Sequence, residues 1–310
     1  MAIEKRSVCR SEGALLREYL QFLREHQCVA DATIVIRRHF VSPFLDYIGE
    51  IAVPSRIHRL TAKIVHDYII ETSPPLHRAS KKHVTSSIRS FLRFLHVRGF
   101  LRRDLVEAVP VITTRKLDRL PRGIPWKSVE RLLRAPDRRT HSGRRSYAIL
   151  LLLARYGVRI GQVTTLCLAD IRWKEKVIHF RPSKGGNALR LPLEDDVAHA
   201  LLSYISKDRG RHNFKEVFLT LREPRRPLGL QNHLWQVLEK YYQRAGLPDT
   251  VHGTRLIRHA FATRLMEKRV PIKTIADLLG HRWIDTTFIY TKVDVPQLRL
   301  LARDWPGRCV

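Results

Sequence analysis

The sequence predicts a mainly α-helical chain of two domains, with a small antiparallel β-sheet confined to the second. Three observations carry that expectation. Apolar residues recur at helical spacing in several segments, as at Leu16, Leu20 and Leu23 and again at Val84, Ile88, Phe91 and Leu95. One stretch, 176–193, instead alternates with a period of two on both arms of a Gly-Gly-Asn reversal. Between the two regimes lies the basic run "VPVITTRKLDRLPRGIPW", whose Pro110, Pro121 and Pro125 leave no clean period. The domains expected are therefore a helical one at 1–110, a basic linker at 111–124, and a mixed one at 125–310 that includes a C-terminal tail. A chain of 310 residues is long enough for two cores of ordinary size, and 44% hydrophobic residues place it among globular chains rather than disordered ones.

Element by element, "GALLREYLQFLREHQ" reads as a helix with its leucines on one face. "HVTSSIRSFLRFLHVRGF" reads as a second, stopped by Gly99. The other face and flanks of that helix carry Lys81, Lys82, Arg89 and Arg93, then Arg98, Arg102 and Arg103. Such a run is either a solvated face or a stripe facing phosphates. In the second half, "RSYAILLLLARYG" reads as a buried helix with Gly157 as its stop. "KVIHFRPSKGGNALRLPL" reads as a hairpin with Ile178 and Phe180 on one arm, Leu189, Leu191 and Leu193 on the other, and its turn at Gly185–Asn187. Helices resume with "LQNHLWQVLEKYYQRAG" and "RLIRHAFATRLMEKR". "IKTIADLLG" follows, with Pro271 in its first turn and Gly280 closing it. "VPQLRLLARDW" is a last amphipathic piece, with Leu298, Leu301 and Trp305 as a stripe.

Charge narrows the function. Lysine plus arginine number 57 against 29 acidic residues, a formal +28. That excess costs self-repulsion unless a polyanion offsets it, and phosphate neutralisation with counterion release is the strongest such offset. Arginine outnumbers lysine, which suits planar, bidentate phosphate contacts. Cys9, Cys28, Cys167 and Cys309 are scattered with no CxxC pair, against a disulfide framework or a cysteine zinc site and in keeping with a reducing compartment. "AILLLLA" is the longest apolar run, too short to cross a bilayer, and the N-terminus shows no secretion signal, so a cytoplasmic protein is expected.

Four fragments carry chemistry together: "YGVRIGQ" with Arg159, "PSKGG" with Lys184, "RLIRHAFATRLM" with Arg255 and Arg258, and "LLGHRWIDTTFIYT" with His281 and Tyr290. Taken singly each is weak, since a turn lysine is usually edge protection and a lone tyrosine usually core. Taken together they suit attack on a phosphodiester. That reaction needs a nucleophile, cations on the non-bridging oxygens and a proton donor for the leaving oxygen. Paired arginines clamp a phosphate through charge-assisted forks. A lysine on a hairpin can serve as general acid, and a histidine can donate to the phosphate or manage the tyrosine proton. A tyrosine can attack where cations favour its phenolate. No carboxylate cluster of the kind that holds Mg²⁺ lies near these residues in sequence, so no metal and no other cofactor is expected.

On these residues the chain resembles the tyrosine recombinase, or phage integrase, family. "GVRIGQ" resembles its first-arginine box, "SKGG" its hairpin lysine, "LIRHAFATRLM" its second-arginine box, "LLGH" its histidine and "TTFIYTKV" its tyrosine. Arg258 to His281 spans 23 positions and His281 to Tyr290 spans nine, as in the family. The resemblance covers about Trp126 to Asp294. It implies Arg159, Lys184, Arg258, His281 and the nucleophile Tyr290 as the catalytic set, to which Arg255 is expected to add a third guanidinium on the phosphate. It also implies a helical core-binding domain that grips double-stranded DNA, a C-shaped clamp, and a tetramer on paired sites. Lys81, Lys82, Arg89, Arg93, Arg115 and Lys116 are the expected DNA contacts. Two departures stand out. Arg255 occupies the position where the family usually has histidine, three before Arg258, and arginine cannot act as a base. The proton then passes to water, to His281, or to a shifted histidine such as His252 or His259. Gln162 replaces an acidic residue and can orient Arg159 or Lys184 only by hydrogen bonding.

The function so implied is site-specific DNA strand exchange through a 3′-phosphotyrosyl intermediate, as in integration or transposition by a mobile genetic element, without metal or ATP. A type IB topoisomerase shares the chemistry, and a non-catalytic DNA-binding regulator would share only the fold. The intact catalytic set and the tail beyond Tyr290, which is expected to dock on a neighbouring subunit, favour the first.

Overall fold

The computed structural model describes residues 13–72, 75–76, 78–112, 123–183, 186–228, 233–248, 251, 253–283 and 286–287. The chain divides into two compact units, 1–115 and 116–310.

Among the described residues, four α-helices build the first unit: α1 (Ala14–Glu25), α2 (Asp31–Ile48), α3 (Ala62–Thr72) and α4 (Arg78–Val97). The predicted apolar faces of α1 and α4 are the ones buried, with Leu16, Leu20 and Leu23 meeting Val84, Ile88, Phe91 and Leu95 in one core. Tyr19 centres it: its ring sits edge-on to Phe91 at 5.2 Å, and its hydroxyl donates to Ser90 Oγ at 2.9 Å. Each such side chain contributes about 1.5–3 kcal/mol by leaving water. Gly99, two residues past α4, has φ +78°, a left-handed backbone that ends the helix.

Along α4, Lys82 and Arg93 are exposed and Lys81 is half-buried. Arg89, one of the expected DNA contacts, is half-buried. Its guanidinium turns inward and donates to the carbonyls of Val109, at 3.0 Å, and Pro110, at 2.9 Å. Those carbonyls lie outside any helix or sheet ladder, and a largely buried carbonyl needs a donor. Arg115 and Lys116, with the rest of 113–122, lie outside the described residues.

The second unit runs α5 (Trp126–Arg134), α6 (His141–Tyr156), α7 (Ile160–Thr164), β1 (Ile171–Arg172), β2 (Val177–Phe180), β3 (Leu189–Pro192), α8 (Asp195–Tyr204), α9 (His233–Arg244), α10 (Arg255–Glu267) and α11 (Ile272–Leu278). Helix α6 is the axis of its core, buried without a break from Ala148 to Ala154. Thr140 caps its start by accepting from the Gly143 N–H at 3.0 Å. Gly157 ends it with φ +59°. A Cβ there would stand 2.4 Å from the Phe261 ring of α10, so this turn needs glycine for space as well as for backbone.

The three strands pair antiparallel in the order β1-β2-β3, with Ile178 opposite Leu191 and Phe180 opposite Leu189. The predicted hairpin is present, and Ile178, Phe180, Leu189 and Leu193 are buried. Its connection is longer than the expected tight turn: pairing ends at Phe180 and resumes at Leu189. Pro182 has no N–H to extend the ladder, and the described residues 181–183 and 186–188 lie outside the sheet. Strand β1 is two residues long and gives no alternation to detect. Pro271 stands at the N-cap of α11, one place before the first turn in which it was expected. The segment Val295–Trp305 lies outside the described residues.

Candidate active site

Three chain segments far apart in sequence converge at the C-terminal end of α6. The first is the turn Gly157–Arg159. Arg159 is the N-cap residue of α7, half-buried. Gln162 fixes this turn: its Oε1 accepts from the Arg159 backbone N–H at 3.0 Å, and its Nε2 donates to the Arg181 carbonyl at 3.1 Å. Gln162 therefore orients the main chain under Arg159 and ties it to the start of the β2–β3 loop.

The second segment is α10. Arg258 is only 7% exposed. Its Nη1 donates to the Gly157 carbonyl at 2.7 Å. Its Nη2 donates to the Leu279 carbonyl at 2.8 Å and lies 2.7 Å from Nε2 of His281. One guanidinium thus joins the end of α6 to the end of α11.

The third segment is that α11 terminus. The Gly280 N–H donates to Asp277 O and the His281 N–H to Ala276 O, both at 2.9 Å. With φ +60° at Gly280, these two bonds form a Schellman termination that sets His281 where it stands. The far end of the hairpin loop docks on the same turn. Asn187 N–H reaches Gly280 O at 3.3 Å. A Cβ on Gly186 would lie 2.7 Å from that oxygen and 2.9 Å from Arg159 Nη1, closer than any side chain tolerates.

The ring state of His281 follows from its partners. Arginine is a donor only and stays charged at any usable pH. Nε2 must then accept from Arg258, and the ring proton sits on Nδ1, which lies 2.7 Å from the hydroxyl of Thr287. Burial, reinforced by the nearby Arg258, Arg159 and His259, pushes the His281 pKa down to about 4. His259, half-buried on α10, is pushed down to about 4 by burial and by Arg255 and Arg258. Both rings are neutral at pH 7. Of the two roles expected for His281, this state suits accepting the tyrosine proton rather than donating to phosphate. Arg255 is exposed at the first turn of α10.

The structure therefore brings Arg159, Arg258 and His281 together, with Gly186 at the end of the lysine loop against them. Lys184, Tyr290 and His252 lie outside the described residues. Sequence reading did not single out Thr287, which is fully buried beneath His281. A hydroxyl six positions past a histidine does not match the helical period, and no strand is formed there, so only the fold reveals it.

Known proteins resemble this chain. A family model described as the phage integrase family matches residues 124–296. A putative integrase/recombinase of Sinorhizobium fredii, y4rA, is 35% identical over 295 residues, covering 94% of this chain and 71% of that protein. The tyrosine recombinase XerD of Staphylococcus haemolyticus is 29% identical over 303 residues, covering 95% of this chain and 99% of the relative. The fold is similar to that of the XerH site-specific recombinase bound to its palindromic difH substrate in a post-cleavage complex. There the TM-score is 0.67 at 16% identity, over 94% of each chain.

Proposed function

The chain belongs to the phage integrase family, and from that premise we propose that it cleaves and rejoins double-stranded DNA at a specific site through a phosphotyrosyl link at Tyr290. The observation that carries this reading is the meeting of Arg159, Arg258 and His281 around the turns at Gly157 and Gly280, with Arg258 standing 101 positions along the chain from Gly157 and 23 from His281. Clustered guanidinium groups beside a histidine held neutral are costly alone and stabilised by an anion. A scissile phosphate is that anion. Arg159 and Arg258 hold its non-bridging oxygens, with Arg255 at the rim as a third guanidinium.

The step balances as follows. The Tyr290 oxygen attacks phosphorus, and its proton passes to Nε2 of His281 as the phosphate draws the Arg258 Nη2 hydrogen away from that nitrogen. The bond from phosphorus to the 5′ oxygen breaks, and the Lys184 ammonium protonates the leaving oxygen. The 5′ hydroxyl of a partner strand then reverses the sequence. One phosphodiester replaces another, so no nucleotide hydrolysis is required, and side-chain cations supply the positive charge. The region 1–110 serves as the core-binding domain, with Lys81, Lys82, Arg93 and the linker residues Arg115 and Lys116 on the DNA backbone. The region 125–310 is the catalytic domain. Its segment Val295–Trp305 docks on a neighbouring copy in a tetramer on paired sites. The protein acts in the cytoplasm, and among the described residues no helix is long and apolar enough to cross a membrane.

A nicked duplex carrying the natural site tests the reading, since loss of the short 5′ fragment traps the covalent adduct. Tyr290→Phe keeps the packing of the ring and deletes the nucleophile. It should bind DNA as the wild type does and form no adduct. An adduct that persists in this variant sinks the assignment.

A further inference from the structure

We propose that Thr287 is a positioning residue for His281: its hydroxyl accepts the Nδ1 proton and so keeps Nε2 unprotonated on the side of the reacting groups. Arg258 sets the constraint. Its Nη2 has two hydrogens, directed at the Leu279 carbonyl and at His281 Nε2, at 2.8 and 2.7 Å. A protonated Nε2 would set donor against donor in a buried place, where a lost hydrogen bond costs about 1–3 kcal/mol. The alternative puts the proton on Nδ1, which then needs an acceptor of its own. Among the described residues, the group that meets Nδ1 is Thr287 Oγ1, at 2.7 Å. Thr287 is fully buried, so within the described structure the hydroxyl is what meets that nitrogen rather than solvent. The Thr286 N–H donates to the Trp283 carbonyl at 3.1 Å, and this turn carries Thr287 back beneath the ring.

A second consequence concerns the charged state. When Nε2 takes a proton, Nδ1 keeps its own and its bond to Thr287, so the ring becomes imidazolium without moving. The groups facing that charge are Arg258, Arg159 and His259, and none of them is anionic. The incoming phosphate is the counter-charge that makes the transfer favourable. Thr287 thus selects the nitrogen, and the substrate selects the moment. This rests on the proton-acceptor role proposed above for His281.

The test separates the two ideas. Histidine labelled with ¹⁵N in the full-length protein reports the tautomer of His281 directly, with His281→Gln identifying its signals. The wild type should show the proton on Nδ1. Thr287→Val, which keeps the shape and removes the hydroxyl, should lose that tautomer, and Thr287→Ser should retain it. In single-turnover cleavage of the nicked substrate, Thr287→Val should be slower by about 10²-fold, the lower end of what a general base contributes. Thr287→Ser should recover most of that rate, and DNA binding should be unchanged in both. A wild-type ring carrying its proton on Nε2 overturns the proposal, as does a Val variant that keeps both the Nδ1 tautomer and the rate. Should the tautomer follow the hydroxyl while cleavage ignores it, the positioning of the ring stands and the acceptor role of His281 falls.

Discussion

At the scale of single residues, Arg255 is one of the two departures from the pattern that the sequence otherwise resembles. It stands exposed at the entry to α10, three places before the buried Arg258. A histidine there would titrate near pH 6.5, whereas arginine keeps its charge beyond about pH 12. As a third phosphate contact, its loss in Arg255→Ala should slow single-turnover cleavage by about 10²- to 10³-fold, the effect of removing one transition-state donor. Arg255→Lys should recover part of that, because the charge survives and the planar fork does not. Arg255→His should remain active. Thermal unfolding run beside the kinetics separates this from bracing of the helix entry, which would lower stability and leave the rate of the folded protein intact. Near-wild-type cleavage by Arg255→Ala, with an inactive His252→Ala, would instead move the motif three residues towards the N-terminus.

At the scale of elements, the β2–β3 loop is held to the site by contacts that leave no room for a side chain. Gly186→Ala would drive a methyl group to 2.7 Å from the Gly280 carbonyl, a backbone atom that cannot swing aside. The loop must shift, and Lys184 two residues earlier shifts with it. Cleavage should slow by about 10-fold or more, since misplacement on the order of 1 Å costs up to about 10²-fold. The unfolding midpoint should hardly move, because the loop buries little. A substrate with sulfur as the leaving atom needs far less help from a proton donor and should suppress the defect. A defect of equal size with sulfur would show that the loop does not deliver the acid.

Much of this architecture was legible because its signals are local. Leu16, Leu20 and Leu23, or the alternation from Ile178 to Leu193, mark a face within a few residues of chain. Helix α2 was not located that way. It buries Ile34, Val41, Phe44 and Ile48 but exposes Val35 and Ile36 and carries Pro43 inside, so its period is blurred. The arginines and the histidine of the site could be named from motif spacing. Their mutual arrangement could not, because it depends on carbonyls at Gly157 and Leu279 that no sequence pattern marks. The inward turn of Arg89 escaped for the same reason: its partners are main-chain oxygens twenty residues away.

At the scale of the whole molecule, stability and substrate are linked through proton uptake. His259 and His281 both have folded-state pKa values pushed down to about 4, against an ordinary value of 6.5. Above about pH 6.5 both rings are neutral whether the chain is folded or not, and no stability is lost. As pH falls from there towards 4, the unfolded chain takes up protons that the folded one refuses, so the folded state weakens across that window. A bound duplex supplies negative charge beside His281, raises its folded pKa and should reduce the loss. The denaturation midpoint at about pH 7.5 and about pH 5, with and without a short duplex carrying the site, measures both effects. A midpoint that does not fall at the lower pH in the free protein contradicts it.

Arg258 ties the end of α6 to the end of α11 through carbonyls of Gly157 and Leu279, so the guanidinium proposed to hold the substrate phosphate is also a part of the scaffold. This limits the routes by which such a gene can decay. Substituting Arg258 leaves buried carbonyls without their donor, so the variant is expected to fold less stably. Losing the hydroxyl of Tyr290 carries no comparable burden on folding in this scheme. A descendant that keeps its grip on DNA but no longer cuts it is therefore expected to have lost the tyrosine first and the arginine last. Among inactive copies in genomes, an intact Arg258 beside a missing tyrosine would mark retention as a binding protein, and a missing Arg258 would mark a relic.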